Sequence, residues 1–183
     1  MRLTCELIGE IVDPTLTVDR KCGDASLGEV EETFYKVDLV LRGCTIPLII
    51  SEFSAEQVIK GKVKITGSLF SDYVAKQIPR FYIYANKVEA AEPDAELTNE
   101  ISFMCRVTKI KELTSDSYGR DVLFMYASTC SPLNTESVLF LVLKNQMARV
   151  NKNRQPNFNI TGTGFIKPFR DVYEILVKQF EVI

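Results

Sequence analysis

Among its 183 residues the chain has no histidine. That absence removes the usual general base near neutral pH, the Ser-His and Cys-His nucleophile pairs, and most zinc sites. The motifs GxxxxGK[ST], GxGxxG and GxSxG are missing as well, and with them the common phosphate cradles and the nucleophile elbow. Five cysteines (Cys5, Cys22, Cys44, Cys105 and Cys130) are scattered without a C-x-x-C pair. An odd, irregular set argues against a disulfide framework, gives no support to a four-cysteine zinc site, and fits a reducing compartment. Small buried hydrophobes are the expected role for most of them; a redox switch at Cys44 or Cys130 ranks below it. Long apolar runs are also lacking. The longest, Ile46–Ile50 and Val138–Leu143, have the length of strands and fall far short of a bilayer. Glu6 and Glu10 sit within the first ten residues, and no charged-then-apolar signal pattern precedes them. The expectation is a cytoplasmic protein that meets no membrane, holds no metal or cofactor, and is not an enzyme. Carboxylate catalysis ranks last, since no paired acids stand in a convincing context.

What is present is an ordinary globular balance, 46% apolar and 25% charged, enough for a real core. It also contains an internal echo, worth seeking first because a missed repeat miscalls the whole fold. Val63–Phe70 reads VKITGSLF and Phe158–Phe165 reads FNITGTGF, sharing the pattern apolar-x-Ile-Thr-Gly-x-x-Phe. A polar connection and a strand-like run follow each copy, Phe81–Ala90 and Tyr173–Val182. A short apolar run and a few helix-compatible residues precede each, Ile46–Ile50 with Ser54–Val58 and Val138–Leu143 with Gln146–Val150. The charged stretch Ala91–Asn99, with its proline, marks a boundary. Two domains are expected, residues 1–91 and 98–183, each near the lower end of independent size.

Period-two alternation dominates. Tyr35, Val37, Leu39 and Leu41 oppose Phe34, Lys36 and Asp38; Val63 and Ile65 oppose Lys62, Lys64 and Thr66; Phe81, Ile83 and Ala85 oppose Tyr82, Tyr84 and Asn86. Such strands have one buried face and one that meets solvent or a ligand. Each half reads strand, long loop, strand, strand, short helix, strand, loop, strand. The Thr-Gly of the repeat suits a bend or bulge through glycine's tolerance of unusual backbone angles. The predicted fold is all-β: two tandem five-stranded Greek-key OB-fold barrels, each with a short helix before strand four. A small barrel of SH3 type is the runner-up and explains the helical insertion less well.

The order of elements resembles the bacterial single-stranded-DNA-binding proteins and their relative, primosomal replication protein N. The residues that carry the resemblance are Leu7–Ile11 and Ser54–Gly67 in the first half, and Gly119–Ala127, Met147–Val150 and Ile160–Gly162 in the second, with Lys60–Gly67 the best stretch. The resemblance covers most of the chain in outline and implies single-stranded DNA or RNA as ligand, a role in DNA replication, a homodimer, and replication or conjugation proteins as partners. Two departures stand out. The chain has no tryptophan, a common base-stacking residue of that family, and no Gly/Pro-rich, acid-tipped tail, so recruitment through such a tail is not expected.

A net charge of −2 counts against a nucleic-acid partner, but its distribution partly answers that. Met1–Glu56 holds eleven acids and five bases, whereas Gln57–Val88 holds six bases (Lys60, Lys62, Lys64, Lys76, Arg80, Lys87) against Asp72. No acid lies between Glu136 and Asp171, an interval with Lys144, Arg149, Lys152, Arg154, Lys167 and Arg170. Basic segments are thus expected at equivalent places in both repeats: the helix end, the fourth strand, and the loop joining strands four and five. That loop and the faces of strands two and three are the usual oligonucleotide site of this barrel. Cations there neutralise phosphates and give salt-sensitive, sequence-independent affinity; Lys36 and Arg120 join them as candidates. Bases would stack on aromatics of the polar strand faces, Phe34, Tyr82 and Tyr84. Phe124 and Tyr126 share a face on a strand apolar on both sides, and Tyr73, Phe165 and Phe169 flank the four-five loops. Two plainer readings stay open: alternating lysines as a solvated strand face that guards a sheet edge, and aromatics as core. The competing function is a protein-interaction or assembly module that binds no nucleic acid, favoured by the acidic first 56 residues.

Overall fold

The computed structural model describes residues 4–15, 17–22, 32–51, 60–72, 80–130, 136–169 and 172–183. Six strands form the first sheet: β1 (Thr4–Ile11), β2 (Thr17–Cys22), β3 (Glu32–Leu41), β4 (Cys44–Ser51), β5 (Gly61–Asp72) and β6 (Arg80–Ala90). Their order is β1-β5-β6-β4-β3-β2, and a further pairing of β1 with β3 at Glu10↔Val40 closes five of them into a barrel. The chain then forms β7 (Glu100–Ile110), β8 (Thr114–Ser115), β9 (Asp121–Cys130), β10 (Glu136–Lys144), α1 (Asn145–Asn151), β11 (Phe158–Phe169) and β12 (Val172–Val182). This second sheet runs β10-β12-β11-β7-β9-β8 and closes through β10 with β9. Replacing β1–β6 by β7–β12 gives the same set of strand pairings, with the ring closed at a different pair. One parallel contact recurs in each barrel, β4 with β6 at Leu48↔Ile83 and β10 with β12 at Leu141↔Ile175. This is the five-stranded OB-fold barrel, built twice.

The alternation expected from sequence decides which faces are buried. Val37, Leu39 and Leu41, Val63 and Ile65, and Ile83 and Ala85 fill the first interior. Phe103, Cys105, Leu123, Met125, Leu141 and Ile175 fill the second. Burying such side chains contributes about 1.5–3 kcal/mol each for the larger ones. Cys5 and Cys105 are among the buried groups, as the small-hydrophobe reading anticipates. Burial pushes the Cys105 thiol up to about 12 and the half-buried Cys44 thiol up to about 11, so neither is a thiolate near neutral pH. Among the described residues no helix is long and apolar enough to cross a membrane.

Four details differ from the sequence reading. Each barrel carries an additional strand, β2 paired with β3 and β8 paired with β9, where a long loop was expected. The glycine of the Ile-Thr-Gly repeat serves close packing. Neither Gly67 nor Gly162 has a positive φ, but a Cβ on either would lie 2.3 Å from a backbone oxygen, that of Tyr84 or of Gln179. Glycine is there because the neighbouring strand leaves no room for a methyl group. The bulge on β11 lies one step further on, between Thr163 and Gly164. Finally, Ala91–Asn99 is an irregular strap held on the first barrel. The Thr98 amide donates to the Ile8 carbonyl (2.9 Å), Ile8 N–H donates to Thr98 Oγ1 (2.8 Å), and the Ala91 amide donates to the Lys62 carbonyl (3.0 Å). The helix expected at Ser54–Val58 lies outside the described residues; its counterpart is α1.

Grouped by backbone proximity, the chain forms two compact units, Glu6–Ser68 with Tyr82–Asn99, and Glu100–Ile183 with Met1–Cys5 and Leu69–Phe81.

Candidate nucleic-acid interface

On β9 the core takes Leu123, Met125 and Ala127, which leaves Phe124, Tyr126 and Ser128 on the outer face, half-buried. The sequence, apolar on both sides of this strand, left that choice open. Opposite on β10, Leu139, Leu141 and Leu143 are core, so Phe140, Val142 and Lys144 share the outer face with them. The register pairs Phe124 with Val142 and Tyr126 with Phe140. The Tyr126 and Phe140 rings meet edge to face, centroids 4.9 Å apart, and the Lys111 ammonium lies 5.3 Å from the Tyr126 ring. An aromatic strip with a cation on it therefore covers what corresponds to strands two and three of the barrel.

The turn between β8 and β9 bounds this strip. Its sequence, Ser-Asp-Ser-Tyr-Gly-Arg from Ser115 to Arg120, is turn chemistry. Asp116 Oδ1 accepts from the amides of Tyr118 (2.9 Å) and Arg120 (3.0 Å), and Oδ2 accepts from Arg120 Nε (2.8 Å). Gly119 supplies the left-handed residue the turn needs, at φ +71°. Burial pushes the Asp116 carboxyl up, but the bonds from Arg120 and Tyr118 outweigh it and hold it below its ordinary value. The fixed turn presents Tyr118 at 81% exposure, with the Arg120 guanidinium 5.0 Å from its ring.

Between this turn and the hairpin of β11 and β12 lies an open groove of about 380 Å³. Tyr118, Arg120, Phe124, Lys144, Lys167 and Glu174 line it, with Thr114–Ser117, Val122 and Val142. Lys144 Nζ stands 4.0 Å from Asp116 Oδ2. Glu174 is only 6% exposed. Burial raises its carboxyl above the ordinary range, with Lys167 and Lys144 opposing.

Of the residues singled out from sequence, the fold brings Arg120, Lys144 and Lys167 together in this groove. Arg149, on α1, forms an ion pair with Asp121 beside Arg120. Arg154 is turned to the end of α1, its Nε donating to Asn151 Oδ1 at 3.0 Å and its guanidinium 5.1 Å from the Phe158 ring; Lys152 is exposed at that same end. On the first barrel Lys36, Tyr82 and Tyr84 are half-buried on outer strand faces, and Lys60 is exposed just before β5. Lys62 donates from Nζ to the Ala95 carbonyl at 2.7 Å, clasping the strap. Lys64 lies 3.6 Å from Glu6. Phe34 and Arg80 lie on β3 and β6, Phe169 ends β11, and the side chains of all three are outside the described ones, as are residues Tyr73, Lys76 and Arg170. Phe165 lies within β11, with the Lys178 ammonium 5.6 Å from its ring.

The equivalence of the basic segments does not carry over to the fourth strand. The repeat aligns Lys62 and Lys64 with Asn157 and Asn159, and the cation of β11, Lys167, stands at its far end. The sequence reading missed Tyr118, Lys111 and Phe140; the Asp-Ser-Tyr-Gly turn beside Arg120 was the available signal for the first. Among the described residues no three potential metal ligands come together.

No protein-family model and no curated protein matches the sequence. Solved structures do. The single-stranded DNA binding protein from Thermus aquaticus superimposes with a TM-score of 0.75 at 12% identity, covering 100% of this chain and 93% of that one. A deletion mutant of the same protein that also carries R190A gives 0.76 at 12%, covering 100% and 94%. The protein PriB from Ralstonia solanacearum covers 46% of this chain and 96% of its own, with a TM-score of 0.42 and 12% identity. At such identities the two full-length matches show a shared fold.

Proposed function

We propose that this protein binds single-stranded nucleic acid, with little dependence on sequence, through the outer face of β9 and β10 and the groove beside it. The observation that carries the reading is the meeting of Arg120, Lys144 and Lys167 with Tyr118 and Phe124 in one groove, on the strands and loops that bind oligonucleotides in this fold. Cations hold the phosphates while exposed rings take bases, each stacked base contributing about 1–3 kcal/mol. The full-length likeness to a single-stranded DNA binding protein supports this. The two barrels act as tandem domains, residues 1–91 and 98–183, derived from one duplicated module, and two chains pair as a homodimer. A labelled oligo(dT) titration at about 50 and 200 mM salt tests it: affinity falls steeply between the two, as counterion release requires. No binding at the lower salt overturns it.

The first barrel supports a second role. Its Lys62 is held by the strap, and no described aromatic groove lies beside it, which fits a surface for protein partners or for the homodimer more than a phosphate track. Pull-down of partners that survive nuclease treatment, lost when the first barrel is altered, is the expected result.

A further inference from the structure

The groove contains a group that phosphate binding does not explain. Glu174, on β12, is a residue only 6% exposed in the wall of the groove, which it shares with Arg120, Lys144 and Lys167 and with one other acid, Asp116. Among the described residues nothing donates a hydrogen bond to it, and no cation lies within ion-pair distance. A phosphate would be repelled by it. Lys167 stands directly across from it in the register of β11 and β12, and a carboxylate perturbed by burial in a groove marks a candidate ligand contact.

Resting on the reading of the groove as a single-strand site, we propose that it holds one unstacked guanine, whose Watson–Crick edge donates to Glu174. The chemistry selects among the four bases. A carboxylate offers two adjacent acceptors and no donor. Guanine alone places two donors side by side, N1–H and the N2 amine. Adenine and cytosine have one exocyclic amine beside a ring acceptor, and thymine or uracil has a single N–H between two carbonyls that would face the carboxylate oxygens. Lys144 and Lys167, in the same lining, suit the guanine O6, and Phe124 and Tyr118 offer faces for the ring. Reading single-strand bases by edge bonds and aromatic stacking is an ordinary mode of recognition. Binding is thus sequence-tolerant along the strand and selective at one nucleotide.

The test uses the whole protein and labelled oligo(dT), the same strand with one central guanine, and the same strand with inosine there, which lacks the N2 amine. The guanine strand is expected to bind about tenfold tighter than oligo(dT), and inosine to lose most of that gain. Glu174→Gln is expected to bind both strands but bring their ratio near one, while Glu174→Asp keeps part of it. An oligo(U) strand with a central guanine, and guanosine monophosphate as competitor, show whether DNA, RNA or the free nucleotide presents the base. A wild-type ratio of one with oligo(dT) still bound overturns the guanine site and leaves strand binding standing. A ratio unchanged in Glu174→Gln overturns it too. Failure of every strand to bind removes the reading beneath it.

Discussion

The two barrels share one set of strand pairings, one parallel contact and one glycine motif, yet their cations stand in different surroundings. In the first, Lys62 is tied to the Ala95 carbonyl and Lys64 to Glu6. In the second, Arg120, Lys144 and Lys167 line an open groove with aromatic walls, Arg120 and Lys144 beside Asp116 within it. Repetition of a fold therefore does not repeat its site. The framework depends on which faces are buried and where a Cβ fits; the site depends on which outer positions hold charge and on what stands across from them.

The widest gap between the barrels should appear in affinity. Reversing Arg120, Lys144 and Lys167 to glutamate is expected to weaken oligo(dT) binding by about two orders of magnitude at ~0.1 M salt, since each phosphate contact on a single strand contributes about 0.7 to the logarithmic salt slope. The same reversal at Lys60, Lys62 and Lys64 is expected to cost less than about fivefold. Equal losses in anisotropy titrations would break the contrast.

What the barrels share should appear in stability. Gly67→Ala and Gly162→Ala each force a methyl group onto a backbone oxygen 2.3 Å away. Each is expected to cost about 1–3 kcal/mol in denaturant unfolding, with similar values for both. A tolerant Gly67 alone would show that the first barrel packs differently.

Glu174→Gln is expected to raise Tm at neutral pH. Burial raises this carboxyl above its unfolded value, so the folded chain holds the proton more tightly. The gain is full above the raised pKa and vanishes as pH falls below the ordinary carboxylate range. Melting curves across that window read it directly.

The smallest effect belongs to the strap. Lys62→Met removes its bond to Ala95 and is expected to cost about 1 kcal/mol. Lys64→Met breaks only an exposed ion pair and should stay within about 0.5 kcal/mol.

The fold was largely legible because period-two alternation is a local signal. Val37, Leu39, Val63, Ile65 and Ile83 announce their buried faces from neighbours two residues away, and the Ile-Thr-Gly motif marks the same strand twice. The site was legible only in part. Arg120, Lys144 and Lys167 were among the candidates, but nothing local tells a cation bound to a carbonyl from one facing a groove; that depends on Ala95 or Asp116, far along the chain or across a turn. Phe124 and Tyr126 could not be sorted because both faces of β9 are apolar and the choice is made by closure of the barrel. Glu174 was invisible, since a lone acid in a strand signals nothing until its surroundings are known.

Ultraviolet crosslinking of bound oligo(dT), with the attached peptides sequenced, tests the central claim most directly. The account predicts crosslinks at Tyr118, Phe124 or Tyr126, on the turn before β9 and on β9 itself. Crosslinks confined to β1–β6 would contradict it.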